Sequence, residues 1–88
     1  MNLIWNNEAW EEYVQWQKQD KKMVKKINEI IKDIKRNGNE GIGKPEPLKH
    51  ELSGYWSRRI TDKHRFIYKL TETSIVVIAC ANNRNYEK

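Results

Sequence analysis

An α+β fold, with two N-terminal helices packed on one face of a small antiparallel β-sheet, is predicted for this chain of 88 residues. Three observations carry the prediction. Apolar residues recur at helical spacing early in the chain, a stretch dense in glycine and proline follows, and the second half holds aromatic and β-branched runs divided by polar turns. At this length a single domain over residues 1–88 with one small core is expected, so any site should lie at the surface rather than in a deep cavity.

Residues 2–5, NLIW, form a short apolar run suited to a strand, and Asn6 or Asn7 can cap a helix behind it. Glu8, Glu11 and Glu12 crowd the first turn, where the macrodipole favours carboxylates. Ala9, Trp10, Tyr13, Val14 and Trp16 mostly keep helical spacing, so a helix is predicted over residues 8–19. Asp20 is placed to cap a second helix, the clearest element of the chain. There Met23, Val24, Ile27, Ile30, Ile31 and Ile34 share one face and Lys22, Lys25, Lys26, Lys32 and Asp33 the other, until Asn37-Gly38 stops it.

Residues 37–47 contain Gly38, Gly41, Gly43, Pro45 and Pro47 and are predicted to be an irregular connection. Within it two prolines flank Glu46. Proline fixes φ and has no N–H, so this carboxylate is presented on a stiff, extended segment between Lys44 and Lys49. LKHEL (48–52) is a candidate first strand, and YWSRRIT (55–61), RFIYKL (65–70) and SIVVIAC (74–80) read as strands, the last a central one. With helices on one side, the other face of the sheet is left to solvent or ligand.

Composition narrows the function classes. No apolar run approaches the roughly 18 residues of a membrane helix and no secretory pattern opens the chain, so a soluble cytoplasmic protein is expected. Cys80 has no partner for a disulfide and reads as a small buried hydrophobe. No Cys, His and carboxylate set has metal-ligand spacing, so neither metal nor other cofactor is expected. Residues 1–40 carry eight Lys/Arg against seven Asp/Glu, whereas residues 41–88 carry nine against five. The positive excess in the second half favours an anionic partner such as nucleic acid.

Glu46, Lys49, His50, Arg58, Arg59, His64 and Arg65 are the residues able to carry chemistry. A carboxylate among cations suits RNA cleavage without a metal: a base takes the 2′-hydroxyl proton, cations stabilise the dianionic phosphorane, and an acid protonates the departing 5′-oxygen. On the pattern alone, a surface loop carboxylate with solvated strand arginines is the alternative. Strand alternation puts Arg59 with Tyr55 and Ser57 on one face and Arg58 with Trp56 and Ile60 on the other. His50 lies about 13 Å from Glu46 along an extended backbone, too far to share a phosphate without a bend. His64 reads as a turn residue hydrogen-bonded to nearby backbone. Trp5, Trp10 and Trp16 read as core or interface residues, and Trp56 as core or a platform for a base. The lysine face of the second helix is a solvated face or a phosphate contact.

The runs WQKQDKKMVKKINEIIKDIKR, EGIGKPEPLKH and LSGYWSRRITDKHRFIY resemble the YoeB/Txe toxins, a branch of the RelE superfamily of bacterial type II toxin–antitoxin systems, over residues 1–80. The resemblance implies a RelE-like, microbial-RNase-like fold. It also implies a ribosome-dependent endoribonuclease that cuts mRNA in the ribosomal A site and is held inactive by a cognate YefM-like antitoxin. A homodimer is implied, with operator DNA reached only through the antitoxin. Carried over by position, Glu46 matches the general base and Arg65 the cation at the scissile phosphate. Lys49 and Arg59 match supporting charges near the RNA, with Lys44 and Arg58 as basic companions.

The chain departs from the family pattern at its end. Members of this branch usually close with His-Tyr, the histidine acting as general acid, whereas this chain reads CANNRNYEK. Counted straight on from Cys80, that pair falls on Asn83 and Arg84; with two inserted residues it falls on Asn85 and Tyr86. Neither alignment supplies a histidine. Asn has no titratable proton, which leaves Tyr86 or a ribosomal group as the acid. Two expectations follow: a cleaving toxin weakened at this step, or a member that acts by binding antitoxin and ribosome and by operon co-repression.

Overall fold

The computed structural model describes residues 1–81. Strand β1, Asn2–Trp5, leads to Asn6, whose side-chain oxygen accepts the Ala9 amide at 2.8 Å and opens helix α1, Asn7–Gln19. Asp20 serves both helices. Its own N–H donates to the Trp16 carbonyl, closing α1, while its carboxylate accepts the Lys22 amide and opens α2, Lys21–Asn37. At Gly38, with φ of 68°, the backbone turns out of the helix and its N–H returns to the Ile34 carbonyl.

The remaining strands are β2, Glu46–Pro47; β3, Trp56–Arg59; β4, Arg65–Leu70; and β5, Ser74–Ala79. They form one five-stranded sheet in the order β1-β5-β4-β3-β2. The expected antiparallel sheet is therefore mixed, because β1 pairs in parallel with β5, Leu3 beside Ile75 and Trp5 beside Val77. The connection that parallel pairing needs runs from β1 through both helices and strands β2, β3 and β4 before it reaches β5. SIVVIAC is an interior strand as expected, but β4 rather than β5 occupies the centre.

Two segments exchange roles relative to the sequence reading. The glycine- and proline-rich connection ends in a strand, β2, which pairs Glu46 with Ser57 and Pro47 with Trp56. Prolines can sit there because β2 is an edge strand and their missing N–H groups interrupt no interior ladder. LKHEL is not a strand. His50–Leu52 forms a 3₁₀ turn, and His50 has φ of 60°. At the other end of YWSRRIT the ladder stops at Arg59, because the Ile60 and Thr61 amides both donate to the His64 carbonyl and close a turn.

Register assigns the two faces. Trp56–Tyr68–Val77 and Arg58–Phe66 lie across β3, β4 and β5 on one side. There Phe66, Tyr68, Ile75 and Val77 bury against Ile27, Ile30, Ile31 and Ile34 of α2, with Trp5, Trp16 and Trp56 packed on the cluster. Trp10 is half exposed and meets the Trp5 ring edge-on at 6.1 Å. On the other side lie Glu46, Ser57, Ile67, Arg59, Arg65 and Ala79. Ile67 and Ala79 are buried on that side without joining the helix-facing cluster, so this face has its own small floor. Ile27→Ala removes a fully buried side chain between α2 and the sheet, and denaturant unfolding should show a loss of about 2–5 kcal/mol.

Candidate active site

Glu46 stands at the edge of the non-helical face, exposed, with buried Ser57 opposite it on β3 and Ile67 beyond Ser57 on β4. Directly paired antiparallel residues project to the same side, so the three form a row across the sheet. The neighbouring row on β3 and β4 is Arg59 and Arg65. Arg59 is a diagonal neighbour of Glu46, placing their Cα atoms about 7–8 Å apart. Two strand spacings and one two-residue step separate Glu46 from Arg65, roughly 12 Å between Cα atoms before either side chain extends.

The two arginines are held differently. Arg59 is exposed, and its backbone N–H donates to the Gly43 carbonyl at 2.6 Å. Arg65 is only 9% exposed; its Nη1 donates to the carbonyls of Thr61 at 2.7 Å and Asp62 at 2.8 Å, so the turn after β3 orients the guanidinium. Like charges directly opposed on a sheet repel, and an anion placed between them lowers that cost. Lys44 (φ 50°) and Lys49, both exposed, bracket β2.

Arg58 is placed differently from the surface position expected of an RNA contact. It is fully buried on the helix side of β3. Nε donates to the Tyr68 hydroxyl (3.2 Å), Nη1 to Asp33 Oδ2 (2.5 Å) and the Ile42 carbonyl (3.0 Å), and Nη2 to the carbonyls of Gly38 (2.6 Å) and Glu40 (3.2 Å). These bonds use all five guanidinium N–H groups. The hydrogen bond from Arg58 holds the Asp33 carboxyl below its ordinary value of 3.8; burial opposes this, while bonds from the Ile42 amide and the Asn37 side chain add to it. Burial raises the Tyr68 phenol above its ordinary value, and its hydroxyl donates to Asn39 Oδ1 at 3.0 Å.

Neither histidine joins the row of Glu46. His50 is exposed on the 3₁₀ turn. His64 makes the backbone contacts expected of a turn residue, with its amide donating to Thr61 Oγ1, but its ring packs edge-on against Trp16 at 4.9 Å. Its Nδ1 is buried without a hydrogen-bond partner among the described residues. Burial, then Lys63 and Arg65, push its pKa down. Trp56 packs on the helix-facing core, away from Glu46.

The end of β5 is fastened to α1. The Cys80 amide donates to Glu12 Oε1 at 2.7 Å, and the Trp16 indole donates to the Cys80 carbonyl at 2.9 Å. The Arg65 amide then donates to the Ala81 carbonyl, so the chain leaves β5 alongside Arg65. Asn83, Arg84, Asn85 and Tyr86 lie outside the described residues. Cys80 itself is fully buried, its thiol pushed up to about 12 by burial and by Glu12, as suits a packing residue rather than a nucleophile. Sequence reasoning missed Asp33, Glu12 and Trp16 as site-building residues. The one available sign was a carboxylate interrupting the lysine face one turn before Asn37-Gly38.

The family model for a YoeB-like toxin of bacterial type II toxin–antitoxin system matches residues 5–84. The chain belongs to this family. Toxin YoeB of Escherichia coli is 60% identical over 80 residues, covering 91% of this chain and 95% of that toxin. The structure of the YoeB/ParE toxin from Agrobacterium tumefaciens superposes with a TM-score of 0.91 at 46% identity, covering 93% of this chain and 98% of the other. YoeB of Staphylococcus aureus, solved as a dimer and as a heterotetrameric complex with YefM, is 50% identical with a TM-score of 0.89, covering 92% of this chain and 94% of the other. The RelE-like α+β fold expected from the sequence is the fold observed.

Asp33 makes acid stability a test of the buried network. Its folded pKa lies below its unfolded value, so its contribution is full well above pH 3.8 and declines as pH falls through that value towards the folded one. Denaturant midpoints followed from about pH 6 down to about pH 3 should fall less steeply in Asp33→Asn than in the parent.

Proposed function

We propose that this type II toxin is a ribosome-dependent endoribonuclease that cleaves mRNA in the A site, with Glu46 as general base. The observation that carries this reading is the register of β2, β3 and β4, which sets Glu46, Arg59 and Arg65 on one face of the sheet. Glu46 accepts the 2′-hydroxyl proton, the 2′-oxygen attacks the adjacent phosphorus, and the bond to the 5′-oxygen breaks as an acid supplies a proton to that leaving group. The products are a 2′,3′-cyclic phosphate and a 5′-hydroxyl end. Arg65 stabilises the charge that builds on the non-bridging oxygens, with Arg59, Lys49 and Lys44 drawing the RNA backbone in. The scheme calls on a base, cations and an acid, and no step in it is routed through a metal.

The YoeB dimer and YoeB–YefM heterotetramer of Staphylococcus aureus support a homodimer that binds a YefM-like antitoxin. Operator DNA is then reached through the antitoxin, and the single domain works in the cytoplasm, where ribosomes are. A second reading is favoured by one observation, the absence of histidine from the terminal CANNRNYEK. In it, the chain keeps antitoxin binding and ribosome docking but cleaves weakly or not at all.

Primer extension on purified ribosomes carrying mRNA tests both readings. Glu46→Gln should lower cleavage on the order of 10² to 10⁴-fold, the usual worth of a positioned base. A version with the terminal His-Tyr restored should exceed the parent. If only the restored version cuts, the second reading holds; if Glu46→Gln cuts like the parent, Glu46 is not the base.

A further inference from the structure

The strand that carries Glu46 is poorly equipped to hold itself. β2 is two residues long and lies at a sheet edge, and prolines on both sides of Glu46 remove two backbone donors. Its flanking backbone bonds are from Arg59 N–H to the Gly43 carbonyl and from Leu48 N–H to the Tyr55 carbonyl. What precedes it, however, is bound tightly. Three loop carbonyls, at Gly38, Glu40 and Ile42, converge on the buried Arg58 guanidinium. The Ile42 amide closes onto the Asp33 carboxylate at 3.1 Å, and Asn39 is tied to the Tyr68 hydroxyl. From Ile42 only Gly43, Lys44 and Pro45 intervene before Glu46. Gly43 packs so closely on β3 that an added Cβ would meet the Arg59 carbonyl oxygen at 3.0 Å and Arg58 Cβ at 3.2 Å.

We infer that Arg58 is a positioning residue for Glu46: from the interior it fixes the loop over residues 38–42, and through that loop the register and tilt of β2. The inference rests on Glu46 being the base, since only then does its placement set the cleavage rate. Lysine cannot replace the arginine here. It carries the same charge but has three donors at one point rather than five in a plane, so it can keep the ion pair with Asp33 while releasing loop carbonyls. The chemistry is sensitive to such slack, because a displacement of about 1 Å can cost on the order of 10² in rate.

The test uses Arg58→Lys, and Tyr68→Phe as a milder variant that removes the acceptor of Nε, in the parent and in the His-Tyr-restored background. Backbone amide spectra should show the Ile42, Glu46 and Leu48 resonances moved, with Ile75 and Val76 unmoved. Single-turnover cleavage should fall about 100-fold for Arg58→Lys with the half-saturating ribosome concentration unchanged, and less for Tyr68→Phe. Unmoved Glu46 and Leu48 resonances in both variants, or cleavage by both variants equal to that of the His-Tyr-restored background, would overturn the inference. Glu46→Gln run beside them separates the two ideas. If it cleaves normally the base assignment fails, while the amide resonances still decide whether Arg58 positions the strand.

Discussion

A guanidinium buried without solvent must have its charge and its five donors satisfied by protein, or the desolvation cost, several kcal/mol for an ion in a real interior, goes unanswered. Arg58 imposes that condition, and much of the architecture follows from how it is met. Tyr68 supplies a hydroxyl from β4, Asp33 a carboxylate from the last turns of α2, and the loop after α2 three carbonyls. Helix, loop and two strands are thereby fixed relative to one another at a single point. Hydrophobic burial alone would not do this, because it is proportional to area and indifferent to direction.

The geometry leaves little room for other residues nearby. At Gly41, φ is 136°, and a Cβ there would lie 1.9 Å from Asp33 Oδ2. The loop can therefore fold back onto α2 only because this position has no side chain. A comparable division of labour operates at the other end of the chain. Glu12 and Trp16 of α1 take the amide and carbonyl of Cys80, and the Arg65 amide of β4 donates to the Ala81 carbonyl, so helix and sheet together hold residues 80–81 beside Arg65. Both helices thus make polar contacts as well as apolar ones, α2 through Asp33 with Arg58 and the Ile42 amide, and α1 through Glu12 and Trp16 with Cys80.

This explains which features could be read from the residues in order. The stripe of α2 and the caps at Asn6 and Asp20 are local patterns, and they appear where periodicity and capping chemistry put them. Alternation separates Arg58 from Arg59 but does not say which face is interior, and a basic residue beside another basic residue reads as surface. The partners that make Arg58 a core residue lie up to 25 positions away, and nothing in the local composition links them. The parallel pairing of β1 with β5 was equally hidden, since a four-residue apolar run carries no mark of its neighbour. Pro45 and Pro47 argued against an interior strand and did so correctly; an edge strand of two residues was the possibility that the turn chemistry concealed.

If the carboxylate of Glu46 is held from beneath, by the buried Arg58 acting on the loop that leads to it, loss of the guanidinium should slacken that loop. Native-state hydrogen exchange, read residue by residue in the parent and in Arg58→Lys, addresses this most directly. The Ile42 and Arg59 amides should lose protection in the variant while those along β4 and β5 keep it. Equal protection at Ile42 and Arg59 in the two proteins, or a uniform loss across the whole sheet, would contradict it.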